Sequence, residues 1–436
     1  MSALPPRPLR AHAFPPLKGH VRVPGDKSIS HRALMLGGTA LGETRIHGIL
    51  TGEDVIATGQ AMAAMGANIR QKGEVWIARG KGVGSLLAPS SVLDMGNSGT
   101  STRLLMGLIA SNPIRAHLIG DASLSGRPMG RVMTPLQQMG ANFEASEGGR
   151  LPLTIIGGSL APIVYESPVA SAQVKSCLLL AGLNAPGKTT VIEPKATRDH
   201  SERMLRAFGA EVVTDGLAVT VTGNAELTGQ EVVVPGDPSS AAFLLVAAAL
   251  TPGSDLTIEN VCLNETRTGL LISLLEMGAD IDYLDRRSSG GEDVADLRVR
   301  HCALKGITIP ADRAATMIDE YPIMSVAAAC AEGPSTFLGL DELRVKESDR
   351  LAGTAAMLKA AGVVHEEGTD SLTIEGGRQI PGGGLIVTNL DHRMAMSALI
   401  LGGIAQNPMA IDDANCIKTS FPNFEALFAS LGVDFR

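Results

Sequence analysis

The densest run of chemically capable residues stands near the start of the chain, at Val23-Pro24-Gly25-Asp26-Lys27-Ser28-Ile29-Ser30-His31-Arg32. Pro24-Gly25 marks a turn, Asp26 or Ser28 suits an N-cap, and the apolar run that follows predicts a helix over 28–40. Lys27, Ser28 and Arg32 then surround a helix N-terminus, where free N–H groups and the dipole favour an anion. An ordinary cap with solvated charges explains the stretch equally well in isolation, and the P-loop pattern G-x-x-x-x-G-K-[ST] is absent. The stretch recurs, however, as Val234-Pro235-Gly236-Asp237, 211 residues further on and again ahead of a small-residue apolar run.

Five more stretches share this character. Asn97-Ser98-Gly99-Thr100 puts two glycines, Gly96 and Gly99, around a helix start, which suits close backbone approach to a ligand. In Gly120-Asp121-Ala122-Ser123-Leu124-Ser125-Gly126-Arg127-Pro128, the proline restricts the backbone of Arg127, a residue type that matches carboxylate or phosphate oxygens. Arg344-Val345-Lys346-Glu347-Ser348-Asp349-Arg350 reads either as a solvated helix start with an i,i+3 pair, Glu347–Arg350, or as a charged site. Asp391-His392-Arg393 leads directly into an apolar run. Asp319, in Met317-Ile318-Asp319-Glu320-Tyr321-Pro322, reads either as a helix cap or as a carboxylate able to serve as a base.

The elements that position these clusters repeat. Glycines at 66, 140, 209, 278, 362 and 432 each follow an amphipathic stretch and precede a β-rich one, at spacings of 69 to 84 residues. This predicts a helix stopped by Gly at C′ and then a strand, six times. Each repeat also carries a helix apolar on nearly all faces, predicted over 28–40, 100–110, 171–183, 239–250, 319–331 and 391–404. Strands are expected between them, for example over 73–78, 151–156 and 217–221. The unusual polar residues fall at the N-termini of the buried helices. Two facing domains of three repeats would aim six helix dipoles into one cleft.

Composition agrees with buried small-residue helices. The 436 residues are 44% hydrophobic, with 50 glycines and 3% aromatics, and the length predicts two domains. The net charge of −8 disfavours nucleic acid as a partner. No apolar run has the length of a membrane span and residues 1–19 show no signal peptide. Five cysteines without C-x-x-C, and histidines without metal spacing, point to a reducing cytosol and to no zinc site.

In order along the chain, D-K-S-x-S-x-R, G-N-x-G-T, G-D-x-S-L-x-x-R-P-M, the Ser171-Ala172-Gln173 region, R-V-K-E-S-D-R and L-D-H-R-M-A-M resemble the enolpyruvyl transferase family, in the branch that uses shikimate 3-phosphate. The resemblance spans Pro24 to Pro422. It implies a two-domain inside-out α/β barrel of six repeated units, with buried parallel helices surrounded by sheet. One domain is expected over 1–23 plus 236–436 and the other over 24–235, with hinges at Pro24-Gly25 and Pro235-Gly236. It implies transfer of the carboxyvinyl group of phosphoenolpyruvate to the 5-hydroxyl of shikimate 3-phosphate by addition and elimination, with two small anionic substrates and no metal or organic cofactor, in a cytoplasmic monomer. By motif, Lys27, Ser28, Arg32, Ser171, Ala172, Gln173 and Lys346 correspond to shikimate 3-phosphate contacts. Gly99, Arg127, Arg350 and Arg393, together with Lys27 and Gln173, correspond to phosphoenolpyruvate contacts. Asp319 corresponds to the base at the hydroxyl, also touching shikimate 3-phosphate, Glu347 to the proton carrier at the vinyl carbon, and Lys27 to a third catalytic group. The phosphoenolpyruvate site is also where glyphosate binds in sensitive members. Lys418 stands one residue out of the family's register ahead of Thr419-Ser420-Phe421-Pro422. The branch that uses a UDP-N-acetylglucosamine acceptor has K-N before its first helix and a cysteine in the mobile loop. Here the pair is Lys27-Ser28, and residues 120–131 hold no cysteine.

Overall fold

Six glycines do the same conformational work in this chain. Gly66, Gly140, Gly209, Gly278, Gly362 and Gly432 have φ of +96°, +110°, +100°, +88°, +78° and +83°. A side chain resists that region, so glycine ends a helix there cheaply. The helices they terminate are Glu53–Ala64, Gly130–Gln138, His200–Ala207, Gly269–Glu276, Arg350–Ala360 and Phe424–Ser430. At the first, Ala67 N–H donates to Met62 O and Gly66 N–H to Ala63 O, the paired bonds that satisfy the last free carbonyls. The computed structural model describes residues 5–377 and 379–436. Residues 1–4, the start of the segment expected over 1–23, and Arg378 lie outside the described residues.

After five of these glycines comes a strand, and each strand neighbours the next in its sheet. An example is Asn142–Ser146 against Arg150–Ile156, antiparallel. The described residues form six sheets, five of four strands and one of three. In the four-stranded sheets one edge strand runs parallel to its neighbour and the remaining pairings are antiparallel where their register is defined, as in Leu93–Asp94, Arg115–Ile119, Arg150–Ile156 and Asn142–Ser146. The three-stranded sheet takes Leu9–Ala11 from the chain start as an antiparallel neighbour of Met409–Ile411, which also pairs with Leu385–Ile386. Lys18–Arg22 likewise joins Asp255–Cys262. These two early strands lacked a periodic signal in the sequence and were not expected.

The apolar helices are Lys27–Gly37, Gly99–Ala110, Ala172–Gly182, Pro238–Leu250, Tyr321–Cys330 and His392–Ile404, close to the expected spans. All but the ends are buried. The expected helix over 319–331 starts two residues later, because Asp319 belongs to the turn after the short helix Ala314–Met317. Small residues let these helices approach backbone to backbone. At Gly107 an added Cβ would lie 2.1 Å from the carbonyl oxygen of Cys177 on the next buried helix.

The contacts divide the chain into two units. One comprises residues 5–24, 235–288 and 292–436. The other comprises 25–234 with Ser289–Gly291, a hairpin tip where Gly290 passes so close to Val233 O that a Cβ would stand 2.4 Å from it. Pro24 and Pro235 both belong to the first unit, one residue beyond each expected edge. Among the described residues no helix is long and apolar enough to cross a membrane.

Two glycine substitutions should move stability in opposite directions. Gly107→Ala forces backbone apart and should cost about 1–3 kcal/mol or more. At Gly59, inside Glu53–Ala64, the nearest atom to an added Cβ is Leu34 Cδ1 at 3.5 Å, an ordinary contact. Gly59→Ala should therefore be neutral or stabilise by up to ~1 kcal/mol through helix propensity. Urea unfolding of both variants checks this, and equal shifts would refute the packing argument.

Candidate active site

In the 25–234 unit, three buried helices begin with side-chain caps. Asp26 accepts from Ile29 N at 2.9 Å, Ser98 from Ser101 N at 3.1 Å and Ser171 from Val174 N at 3.4 Å. The first turns are tied to one another. Arg103 Nη1 donates to Gln173 Oε1 at 2.6 Å, and Gln173 Nε2 donates to Thr100 Oγ1 at 3.1 Å. Arg32 donates to Ser176 Oγ and Ser201 Oγ, both at 2.7 Å, and to its own helix at Ser28 O at 2.9 Å. Lys27 is ion-paired with Asp54. Ser28, Ser171, Ala172 and Gln173 are half-buried at these helix starts.

Gly99 is the first residue of its helix, and its backbone is not left-handed; Gly96, at φ +53°, takes the strained position of that loop. An added Cβ at Gly99 would meet Arg127 Nη1 at 3.2 Å and Arg103 Nη1 at 3.6 Å. The backbone of Gly99 therefore faces two guanidiniums. Arg127 Nη2 is anchored by Asn97 Oδ1 at 2.5 Å and Ser123 Oγ at 3.0 Å, and Asn97 in turn donates to Asp121 at 2.6 Å. The result is an oriented cationic wall beside a helix N-terminus, suited to a small anion.

The other unit holds a second cluster. Arg350, 1% exposed, is ringed by carboxylates: Glu347 Oε2 at 2.5 Å, Asp391 Oδ2 at 2.8 Å and Asp319 Oδ1 at 3.0 Å. Burial opposes its charge, but Asp391, Glu347 and Asp319 outweigh that, and its pKa is raised. Asp391 is also buried, which disfavours its charge, yet Arg350 keeps its pKa below the ordinary value. The expected i,i+3 pair of Glu347 with Arg350 is present, but it lies inside the cluster rather than on a solvated helix start. Lys346 Nζ stands 3.9 Å from Asp319 Oδ1. Asp319 caps no helix; the N-cap position falls to Glu320. Arg393 Nη1 lies 3.6 Å from Glu320 Oε1, and His392 Nδ1 is 3.3 Å from Thr419 Oγ1. Lys418 is exposed, in the turn Asn415–Thr419.

The structure therefore draws Gly99, Arg127 and Gln173 together, and separately Asp319, Lys346, Glu347 and Arg350. It adds residues that motif reading left without a role. Arg103 stands four residues after Gly99, Ser176 three after Gln173, and Glu320 directly after Asp319. Helical spacing from the assigned residues is the signal that finds the first two. Asp54, Ser201 and Asp391 act from other elements, and only pairing in space shows them.

Overall likeness extends across the chain. An enolpyruvyl transferase of Streptomyces tendae, NikO, shares the fold at a TM-score of 0.79 and 18% identity, covering 99% of each chain. The chain belongs to the EPSP synthase (3-phosphoshikimate 1-carboxyvinyltransferase) family, whose model matches residues 12–428. It is 57% identical to the 3-phosphoshikimate 1-carboxyvinyltransferase of Pseudomonas sp. (strain PG2982), over 98% of this chain and 97% of that one. The same identity and coverage hold for the Brucella canis enzyme. The EPSP synthase structure from Acinetobacter baumannii aligns at a TM-score of 0.88 and 44% identity, covering 98% of this chain and 99% of the other.

Beneath the first cluster His31 is fully buried, with Nδ1 2.7 Å from Thr58 Oγ1 and 3.4 Å from Ser101 Oγ. Burial first, then Lys27 and Arg32, hold its pKa well below the ordinary value. The folded chain keeps His31 neutral while the unfolded chain protonates it below about pH 6.5. Stability is therefore present above that pH and is lost as pH falls, by up to ~1.4 kcal/mol per unit. His31→Asn should lose less stability than the wild type between pH 7.5 and 5.5 by about 1 kcal/mol. Urea unfolding at the two pH values tests this, and parallel losses would contradict it.

Proposed function

We propose that the chain transfers the carboxyvinyl group of phosphoenolpyruvate to the 5-hydroxyl of shikimate 3-phosphate, releasing phosphate, and that the two charged clusters are its working parts. Family membership supports the reaction. The observation that most favours the assignment of parts is Gly99, whose backbone meets Arg127 and Arg103 at a helix start. In this reading Lys27, Ser28, Arg32, Ser171, Ala172 and Gln173, with Asp319 and Lys346, hold shikimate 3-phosphate. Gly99, Arg127, Arg350 and Arg393, with Lys27 and Gln173, hold phosphoenolpyruvate.

The chemistry follows from the charges. Asp319 takes the proton of the 5-hydroxyl as its oxygen bonds to C2 of phosphoenolpyruvate, while Glu347 delivers a proton to C3. The tetrahedral adduct collapses when Glu347 takes a proton back from C3 and the C2–O bond to phosphate breaks; the proton held on Asp319 passes to the departing phosphate. Lys27, Arg127 and Arg350 stabilise the charge that builds on carboxylate and phosphate. Arg350 enters the reaction already held in place by three carboxylates, so its orientation needs no further ordering when substrate arrives. The enzyme works as a cytosolic monomer without metal or organic cofactor, hinged at Pro24-Gly25 and Pro235-Gly236. Its cysteines are free thiols, which accords with a reducing compartment.

A phosphate-release assay with shikimate 3-phosphate and with UDP-N-acetylglucosamine tests the reading. Turnover with the first acceptor alone is expected. Release with the nucleotide sugar, or ligand binding without release, would replace it with another activity or a binding scaffold. Asp319→Asn keeps the shape and removes the carboxylate, so kcat should fall by roughly 10²-fold or more with ligand binding largely kept. Near-normal turnover would remove Asp319 from its role.

Gly99→Ala tests the anion wall. No φ strain opposes alanine there, and its Cβ presses on Arg127 Nη1, so the protein should fold normally. Glyphosate is longer than phosphoenolpyruvate and should lose more. The wild type should be inhibited, and in Gly99→Ala the ratio of inhibition constant to phosphoenolpyruvate KM should rise roughly 10-fold or more. An unchanged ratio would show that Gly99 does not line the site.

A further inference from the structure

Two adjacent carboxylates in the 235–436 unit serve different arginines. Asp319 turns to Arg350, and Glu320 turns to Arg393. Glu320 is 2% exposed and stands at the N-cap position of Tyr321–Cys330, yet its side chain makes no cap bond. Its Oε1 accepts from the hydroxyl of Ser239, the second residue of another buried helix, and faces Arg393 on the third. Ser239 Oγ also accepts from Arg267 Nη2 at 2.8 Å, and Arg267 is paired with Asp237 at 3.1 Å. Asp237 caps the helix through Ser239 N at 2.8 Å, and its own N–H donates to Pro24 O at 2.9 Å. A buried polar chain thus runs from the Pro24 and Pro235 turns through Asp237, Arg267, Ser239 and Glu320 to Arg393.

This chain is not what a purely structural carboxylate shows. Oε2 of Glu320 is buried and meets no donor among the described residues, whereas buried polar atoms are nearly always paired. A cap would have used the side chain on its own helix. Here the carboxylate spends its acceptor capacity on a hydroxyl that fixes it and on a cation. Arg393 is 9% exposed, and its backbone N–H is held by Asp391 Oδ1 at 2.9 Å, which leaves the direction of its long side chain to be set by Glu320. Arginine recognises a carboxylate or phosphate by the plane and direction of its fork, so that direction matters.

We infer that Glu320 is a positioning residue for phosphoenolpyruvate: it orients the Arg393 guanidinium toward the substrate, and Ser239, backed by Arg267 and Asp237, holds Glu320 in that orientation. This rests on the assignment of Arg393 to phosphoenolpyruvate made above. The effect is expected on phosphoenolpyruvate, because Arg393, which Glu320 faces, is assigned to that substrate.

Steady-state kinetics of Glu320→Gln, Arg393→Gln and the double variant test the inference. Glu320→Gln keeps the shape and an acceptor for Ser239 but removes the charge that faces Arg393. Expected are a rise of roughly 10-fold in the KM for phosphoenolpyruvate, with the KM for shikimate 3-phosphate within about 2-fold, and no further rise when Glu320→Gln is added to Arg393→Gln. Ser239→Ala, which leaves the carboxylate in place but unfixed, should shift the same KM in the same direction by a smaller factor and serves if Glu320→Gln fails to fold. Full additivity in the double variant, equal shifts for both substrates, or a normal KM in both Glu320→Gln and Ser239→Ala would overturn the inference while Arg393→Gln still weakens phosphoenolpyruvate. If Arg393→Gln itself leaves that KM unchanged, the site assignment fails and the inference falls with it.

Discussion

A helix buried over most of its length still presents four N–H groups at its start that no carbonyl of its own can satisfy. Each unit of this protein contains three such helices, and that requirement shapes everything around them. Asp26, Ser98, Ser171, Asp237 and Asp391 each use a side chain to take up a free N–H. What the caps leave over is positive partial charge, and arginines gathered there add to it. Arg127 and Arg103 flank Gly99, and Arg393 sits in the first turn of His392–Ile404. The same positions that must be polar for stability are therefore the ones able to hold an anion. The scaffold's unmet hydrogen bonds and the site's affinity have one origin.

Cations in such numbers need restraint before a substrate arrives, and the two clusters achieve it differently. Around Gly99 the arginines are held by neutral acceptors: Asn97 and Ser123 for Arg127, and Gln173 for Arg103. Around Arg350 the restraint is ionic, with three carboxylates in contact. Such a centre is rigid, because removing one member of a buried charge cluster leaves the others unbalanced. In the proposed reading, the second cluster holds the proton-carrying carboxylates in register.

Much of this arrangement was legible in the residues. The glycines at C′ announce themselves, because few other residues tolerate their φ, and the buried helices are visible as apolar runs of small side chains. The chemistry-bearing motifs lie at helix starts for the same capping reason. What stayed hidden depends on pairing across sequence distance. Leu9–Ala11 is three residues long and finds its neighbour at Met409–Ile411. Nothing local to either segment encodes that match. The partners of Arg32, namely Ser176 and Ser201, come from elements far along the chain, and serines are too common to flag. Asp319 illustrates a finer limit. Its neighbourhood reads as a helix start, but the turn after Met317 shifts the cap position by one residue and frees Asp319 to face Arg350.

The strand Leu9–Ala11 also bears on how the protein is made. A ribosome delivers the 25–234 unit, but for the tip at Ser289–Gly291, before most of the other unit exists. The strands Leu9–Ala11 and Lys18–Arg22, in contrast, emerge ahead of that unit and belong to sheets that need Asp255–Cys262 and Met409–Ile411. At about 5–20 residues per second, the roughly 400 residues between Ala11 and Met409 represent on the order of 20–80 s of synthesis. Throughout that interval the leading segment is an unpaired edge tethered to a domain that is already folding, a state in which strands join foreign neighbours. Its brevity and the charge of Arg10 limit that hazard. Birth order and fold order run in opposite directions here, and residues translated roughly 400 positions later are needed to lock in Leu9–Ala11.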